Sequence, residues 1–337
     1  MSRRQTAALA AALVLGLWWH SLDVFTAGLV YEDAAHLGKA SGLSDIPTRY
    51  IHFPGRQLTF LSYTATQALG VPIHAGNLVL HTFAGGLVWT LTARLSPYAL
   101  APWIALVVFW FHPIQGEAVH YLSARSDVLA TVFILSAVLT CLSRCRGWRV
   151  LTGLGLALAC MSKELAVVGP ALVAVATQAV STRAARFAAL AAVGIGVMVL
   201  LWPWSDITAG VLTDRPLDHL TSQALALWQF AWMFVSLDGF TVDHGFVTAA
   251  TWRGGVALIG LVAALVLVWR WRSRWPLTAC MVAWTAFWIG PRFVVSMPEL
   301  ISERHVYFPI AGWSIAIGNA IAWRAQALRL GITAPVG

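Results

Sequence analysis

Ten apolar runs follow one another along the 337 residues, at approximately 6–22, 74–93, 97–112, 127–143, 150–163, 165–181, 187–204, 255–271, 276–291 and 306–323. A helix that crosses the hydrocarbon core of a bilayer needs about 20 mostly apolar residues, somewhat fewer where interfacial side chains anchor its ends. The pattern predicts an all-α polytopic helical bundle embedded in a membrane. Composition agrees, because 59% of the residues are hydrophobic and 11% charged, whereas soluble domains carry roughly a quarter charged residues. The fifth run ends in Ser162-Lys163-Glu164, so its charged end is expected in a recessed or wetted place.

The net charge of +8 comes from basic residues set in short clusters between the runs. That is the pattern of cytoplasmic loops rather than of a nucleic-acid surface, and nucleic acid is excluded as a partner. Arg3, Arg4, Arg94, Arg144, Arg146, Arg149, Arg183, Arg186, Arg270, Arg272, Arg274, Arg324 and Arg329 share one side if the N-terminus is inside. Both termini are then cytoplasmic. The first run ends in Trp18-Trp19-His20 rather than at a small-residue cleavage site, so it reads as a retained helix.

In that orientation the segments 23–73, 113–126, 163–164, 205–254 and 292–305 face outward and hold nearly all the Asp and Glu. Ionisable groups beside hydrocarbon are costly unless paired or wetted, and their gathering on one face marks a functional site. Two stretches of these loops, 51–69 and 220–237, have the composition of interfacial helices; the second is interfacial or re-entrant, because both its flanks must lie outside. No repeat and no low-complexity linker divides the chain, which reads as one membrane domain over 1–337.

Several polar clusters could carry chemistry. Glu32 and Asp33 lie together just past the first run, where either carboxylate could take a proton from an attacking hydroxyl. His112-Pro113 through Glu117 leads into Arg125-Ser126-Asp127; the Arg125 guanidinium could clamp a phosphate or pair with Glu117 or Asp127. Lys163-Glu164 could be a mutual structural pair or a substrate contact. Arg292, and Glu303-Arg304-His305, set further positive charge on the outer side, where it is disfavoured by topology. The four Cys have no CxxC spacing and the His residues no ligand spacing on a common element, so neither disulfides nor a metal site are expected. Gly85, Gly86, Gly153 and Gly155 read as sites of close helix approach.

Taken in order, these passages resemble the GT-C multispan glycosyltransferases, specifically the membrane portion of the transmembrane and tetratricopeptide-repeat O-mannosyltransferases. Tyr31-Glu32-Asp33 resembles that family's acidic pair, and the stretch from Pro54 through Arg56 to Phe60 its RPL-containing segment. His74-Ala75-Gly76-Asn77 through His81 is similar to its H-x-x-N-x-x-x-H entry to a span. His112-Pro113 through Glu117-Ala118-Val119, then Arg125-Ser126-Asp127-Val128-Leu129-Ala130, resemble two further motifs; Ser162-Lys163-Glu164 and Glu303-Arg304-His305-Val306-Tyr307-Phe308-Pro309 resemble the last two. The acidic pair here is Glu-Asp where the family has Asp-Asp, which leaves open which carboxylate acts. The tetratricopeptide repeats have no counterpart in 1–337, so a partner subunit could replace them.

The resemblance implies an inverting transfer of a sugar, mannose being the family's, from a polyprenyl-phosphate donor to a hydroxyl acceptor on a protein, glycan or lipid. It places the reaction on the outer face, the periplasmic side of a bacterial inner membrane, with no cofactor or divalent metal. Asp33 or Glu32 would be the base. Arg125, Lys163, Arg292 and Arg304 would hold the donor phosphate, with Arg56, His81, His112, Glu117, Glu164, Glu303 and His305 around them. The alternatives are a lipid-linked group transferase acting on lipid A or an envelope glycan, and a transporter or flippase. A transporter would more often show inverted repeats and midplane charges.

Overall fold

The computed structural model describes residues 2–26, 28–30, 33, 55–143, 147–178, 216–241, 244, 251–293 and 299–329, and within them it is all helix and connecting turn. The α-helices are α1 (Arg3–His20), α2 (Gln57–Ala68), α3 (Ala75–Leu95), α4 (Ala101–Phe111), α5 (Gly116–His120), α6 (Arg125–Cys141) and α7 (Trp148–Cys160). They continue with α8 (Gly169–Gln178), α9 (Pro216–Ser236), α10 (Thr251–Arg270), α11 (Pro276–Ile289) and α12 (Tyr307–Arg329). Local chemistry sets several starts. Ser2 and Gln5 close a reciprocal capping box on α1, and Pro276 opens α11 where its missing N–H costs nothing.

Among the described residues four helices are long and apolar enough to cross a membrane: Ala75–Leu95, Leu122–Cys141, Trp252–Arg270 and Glu303–Arg329. This corrects the expectation of ten. Of the run at 165–181 only 165–178 are described, ending in α8; the runs at 97–112 and 150–163 fold as α4 and α7, of 11 and 13 residues. At about 1.5 Å per residue they reach only about 15–20 Å, short of a hydrocarbon core of about 30 Å. His112-Pro113 stops α4, and Ser162-Lys163 separates α7 from a 3-10 turn, Glu164–Val168, so apolar composition extends beyond the regular helix. The first run is long enough, but α1 opens on Arg3-Arg4-Gln5-Thr6, which lowers its mean hydropathy. The run at 276–291 yields a helix of 14 residues, α11, and the run at 187–204 lies outside the described residues.

α6 is the centre of the packing. It lies between α3 and α7, while α12 packs along α4 and α11, and α9 along α10. Small residues make the closest approaches. A Cβ on Gly318 of α12 would stand 2.6 Å from Ala101 O and 2.9 Å from Ala105 N of α4, and one on Gly85 of α3 would stand 1.9 Å from Trp110 Nε1. Gly155 is likewise close, at 3.2 Å from Phe133 O, but Gly86 and Gly153 have nothing within 4 Å and are not contact glycines.

The bundle has two chemically distinct ends. α3 begins beside Arg125, α12 follows directly on Glu303–Val306, and α11 finishes next to Arg292, so all three meet at one polar end. Their other ends carry Arg94, Arg274 and Arg324, and Arg94 Nη1 donates to Leu139 O near the C-terminus of α6 (3.2 Å). Both ends of α9 return to the polar end. His219 donates to Arg292 O (2.8 Å) near its start, and near its finish Phe234 O accepts from His112 Nε2 (2.8 Å).

Candidate functional site

One five-residue stretch, Ser123 to Asp127, organises the polar end. The Ser123 amide and hydroxyl both donate to Asp33 Oδ1, at 2.9 and 2.8 Å, and the Val30 amide donates to Asp33 Oδ2 at 3.2 Å. Asp33 is fully buried. Two residues on, the Arg125 guanidinium is consumed by the protein. Nε donates to Asn77 Oδ1 (2.7 Å), Nη1 to Ser62 O and Thr66 Oγ1 (3.2 and 3.1 Å), and Nη2 to Ile73 O, while the plane lies over Tyr63, 4.6 Å from its centroid. Two residues further, Asp127 Oδ2 accepts from Lys163 Nζ at 2.5 Å, with both side chains buried.

These contacts redistribute the charges relative to the sequence reading. Arg125 has neither of its expected acid partners and spends four of its five N–H groups on Asn77, Ser62, Thr66 and Ile73, so it is a strut tying α2, α3 and α6. Lys163 and Glu164 do not pair with each other: Lys163 takes Asp127, and Glu164 accepts from Arg56 Nε and Nη2 at 3.1 and 2.8 Å. Glu117 belongs to Arg304, whose Nη1 and amide reach its two oxygens at 2.6 and 3.1 Å, with the Ser302 hydroxyl at 2.6 Å. Burial works against the Glu117 charge, but Arg304 and these hydrogen bonds overcome it and hold the carboxyl below its usual range. Arg304 also pairs with Glu299 and lies over Tyr121.

Arg292 differs from the other buried cations. Within the described residues it forms no ion pair, and its described side-chain hydrogen bond runs from Nη2 to Glu299 O (2.9 Å). Burial pushes its pKa down to about 10, so it is still charged at neutral pH. Its neighbours Gly290 and Phe293 help to line an apolar cavity of about 450 Å³ between α9, α10 and α11, with Trp228, Leu261, Val262 and Ile289. Asp127 lies within electrostatic reach of Arg56, Lys163, Arg292 and Arg304, which places these groups around one centre. Among the described residues two buried polar atoms there, Asp127 Oδ1 and His305 Nδ1, have no hydrogen-bond partner, while the Glu303 carboxyl lies within hydrogen-bond reach of Glu117. Buried polar groups are nearly always satisfied in folded proteins, and these atoms stand among several such atoms in the fold, those of His74 and Gln115 included.

The histidines sort differently. His81 Nδ1 meets the Tyr307 hydroxyl at 2.8 Å and its Nε2 faces Trp110 O at 3.4 Å. Since a carbonyl only accepts, Nε2 carries the proton, and His81 cross-braces α3, α4 and α12 inside the core. His112 stacks on Phe234, with ring centroids 4.3 Å apart, and its Nδ1 caps the Ile114 amide, so it clasps α9 to the end of α4. Glu303 Oε1 is held by His244 Nε2 at 2.9 Å. Glu32 lies outside the described residues. Site reasoning from sequence missed Ser123, Tyr63 and His244; Ser123 had a signal in its position two before Arg125, whereas His244 stands in a long loop with none.

Among the described residues no group of three or more His, Cys, Asp or Glu is placed to hold a metal ion. Cys141, Cys160 and Cys280 are free thiols. Compared with known proteins, the chain matches no family model, no curated protein and no solved structure.

Proposed function

We propose that the chain is a membrane glycosyltransferase of GT-C type that moves a sugar, with inversion, from a polyprenyl-phosphate donor to a hydroxyl acceptor. The observation that carries the reading is the apolar cavity lined by Gly290 and Phe293, in the same turn as buried Arg292, which forms no ion pair among the described residues and lies within electrostatic reach of Asp127 and His305. An isoprenoid phosphate has this polarity, an apolar tail ending in an anion. Its phosphate would meet Arg292 first and Arg304 next.

In the reaction the acceptor oxygen bonds to the anomeric carbon as the bond from that carbon to the phosphate oxygen breaks. Asp33 takes the hydroxyl proton, and the electron pair leaves with the lipid phosphate. Asp33 Oδ1 accepts two hydrogen bonds from Ser123 and Oδ2 one from the Val30 amide, so Oδ2 is the oxygen with a lone pair left for the acceptor proton. Glu32 is the second candidate for this step. The leaving charge is stabilised by fixed cations in a water-poor setting, each worth about 3 kcal/mol in the transition state. Lys163 acts by keeping Asp127 in place, and Arg125 by holding the scaffold.

In this reading the polar end faces the outside of the membrane, for a bacterial chain the periplasm, and the arginine-rich end faces the cytoplasm. α9, with both ends at the polar end, lies along that interface. The test is transfer of radiolabelled hexose from a polyprenyl phosphate to a membrane-extract acceptor by the purified protein in nanodiscs. Asp33→Asn and Arg292→Ala should each lower the rate by about 10²-fold or more; wild-type rates in Asp33→Asn, Glu32→Gln and Arg292→Ala alike would overturn the assignment.

A further inference from the structure

Glu303 stands in the turn that leads into α12, and it is buried, at 3% exposure. Its Oε1 accepts from His244 Nε2 at 2.9 Å and from the Thr241 amide at 3.3 Å, both in the segment that follows α9. Among the described residues no N–H or O–H donor reaches its Oε2, and the Glu303 carboxyl lies within hydrogen-bond reach of Glu117 on α5. Glu117 is itself an acceptor, from Arg304 and from the Ser302 hydroxyl. Two ionised carboxylates have no hydrogen to place between them.

The surrounding charges do not remove the conflict. Three carboxyl groups, Glu117, Glu299 and Glu303, meet Arg304, which pairs with the first two. Arg292, after α11, comes within electrostatic reach of Arg304 and His305 and forms no ion pair among the described residues. The turn Pro113–Gln115 and α11, which also pack against Glu303–Val306, bring no Asp, Glu, His, Lys or Arg of their own. His244 is oriented by Gln229 of α9, whose Nε2 stands 3.5 Å from its Nδ1. An amide nitrogen only donates, so Nδ1 accepts and the ring proton on Nε2 goes to Glu303 Oε1. Carboxyl groups that share a buried site hold one proton between them, because like charges at that distance cannot both persist.

We infer that Glu303 carries a proton on Oε2 and donates it to Glu117, so that a neutral acid latches the segment after α9 to α5 and to the start of α12. While the proton is bound, Gln229, His244, Glu303 and Glu117 form one continuous chain of hydrogen bonds. Once it leaves, two carboxylates face each other in the interior and the latch opens. An unfolded glutamate ionises at about 4.3, so the fold holds a proton that the unfolded chain has lost. The stability from the latch is fully present below that value and is lost as the pH rises through the value in the fold. Its sign is opposite to that of the ion-paired Glu117. The latch belongs to the fold and does not rest on the transferase reading.

Infrared spectroscopy of the full chain at neutral pH, in a detergent without ester groups, detects the proton directly. A protonated-carboxyl band that shifts in heavy water should be present in the wild type and missing from Glu303→Gln. The glutamine amide replaces the acid in both contacts, as donor to Glu117 and acceptor from His244, so this variant should fold. Its melting temperature should change less than that of the wild type as the pH is raised from mildly acid to alkaline, whereas Glu303→Ala, with neither contact, should melt below both at acid pH. Identical infrared bands, or parallel melting profiles, in the wild type and Glu303→Gln would overturn the inference. Should Glu303→Gln fail to fold, Glu117→Gln sets an amide donor opposite Glu303 and should lose the same band. Retention of the band in that variant, or its absence from the wild type, would overturn the inference equally.

Discussion

Lys163 and Asp127 are buried together at 2.5 Å, and that pairing governs what each substitution does. Lys163→Met strands the Asp127 carboxylate in the interior and should cost about 3–5 kcal/mol, read as a lower unfolding temperature in detergent. The double change Lys163→Met with Asp127→Leu should recover most of that loss. If the double variant is no more stable than the single one, the pair is not the main interaction there. Glu117 makes a pH prediction. Its carboxyl is held below the usual range in the fold, so the unfolded chain takes up its proton first as the pH drops. The clamp on Arg304 is thus fully present above the ordinary carboxylate pKa and lost as the pH falls through it and on through the lower folded value. Thermal stability between neutral and acid pH should fall less steeply in Glu117→Gln than in the wild type.

The helices depend on a few close contacts. Gly318 faces backbone atoms of α4 rather than a flexible side chain, so any Cβ forces the two helices apart. Gly318→Val should destabilise by about 1–3 kcal/mol or more, as overpacking of an interior does, whereas the same change at Gly86, where a Cβ meets nothing within 4 Å, should be neutral or gain a few tenths of a kcal/mol, because valine has the higher helix propensity. Paired melting curves in one detergent decide between them. On the proposed function, the groove between α9, α10 and α11 takes the lipid tail of the donor. Leu261→Trp should fill it and raise KM for a long-chain polyprenyl donor, while leaving a short-chain, water-soluble analogue unaffected. An equal effect on both donors would place the lipid tail elsewhere.

For the molecule as a whole, the uneven distribution of charge is the organising property. Among the described residues, carboxylates and the cations paired with them gather at one end, Arg94, Arg274 and Arg324 with Trp271, Trp275 and Trp323 stand at the other, and long apolar helices join them. Single cysteines placed in a background without native thiols, one next to Asp33 and one at Ser273, should react oppositely with an impermeant reagent in intact cells; labelling of both from outside would refute the orientation. Much of this was legible without coordinates. Apolar composition sets the solvent in which a chain can fold, so the all-helical class and the sidedness of charge follow from residues such as Arg94, Arg274, Glu117 and Glu303 read in order. The length of each helix was not legible, because the run at 97–112 turns helical only from Ala101 and the run at 150–163 leaves the helix after Cys160, and a hydropathy count does not separate apolar turns from apolar helix. Partner choice was not legible either. Arg125, Lys163 and Arg292 are equally cationic in sequence, yet packing gives one to carbonyls and Asn77, one to Asp127, and leaves Arg292 beside an apolar cavity. The energy of a buried charge depends on which groups lie within a few ångströms, and only the assembly of distant helices brings those groups there.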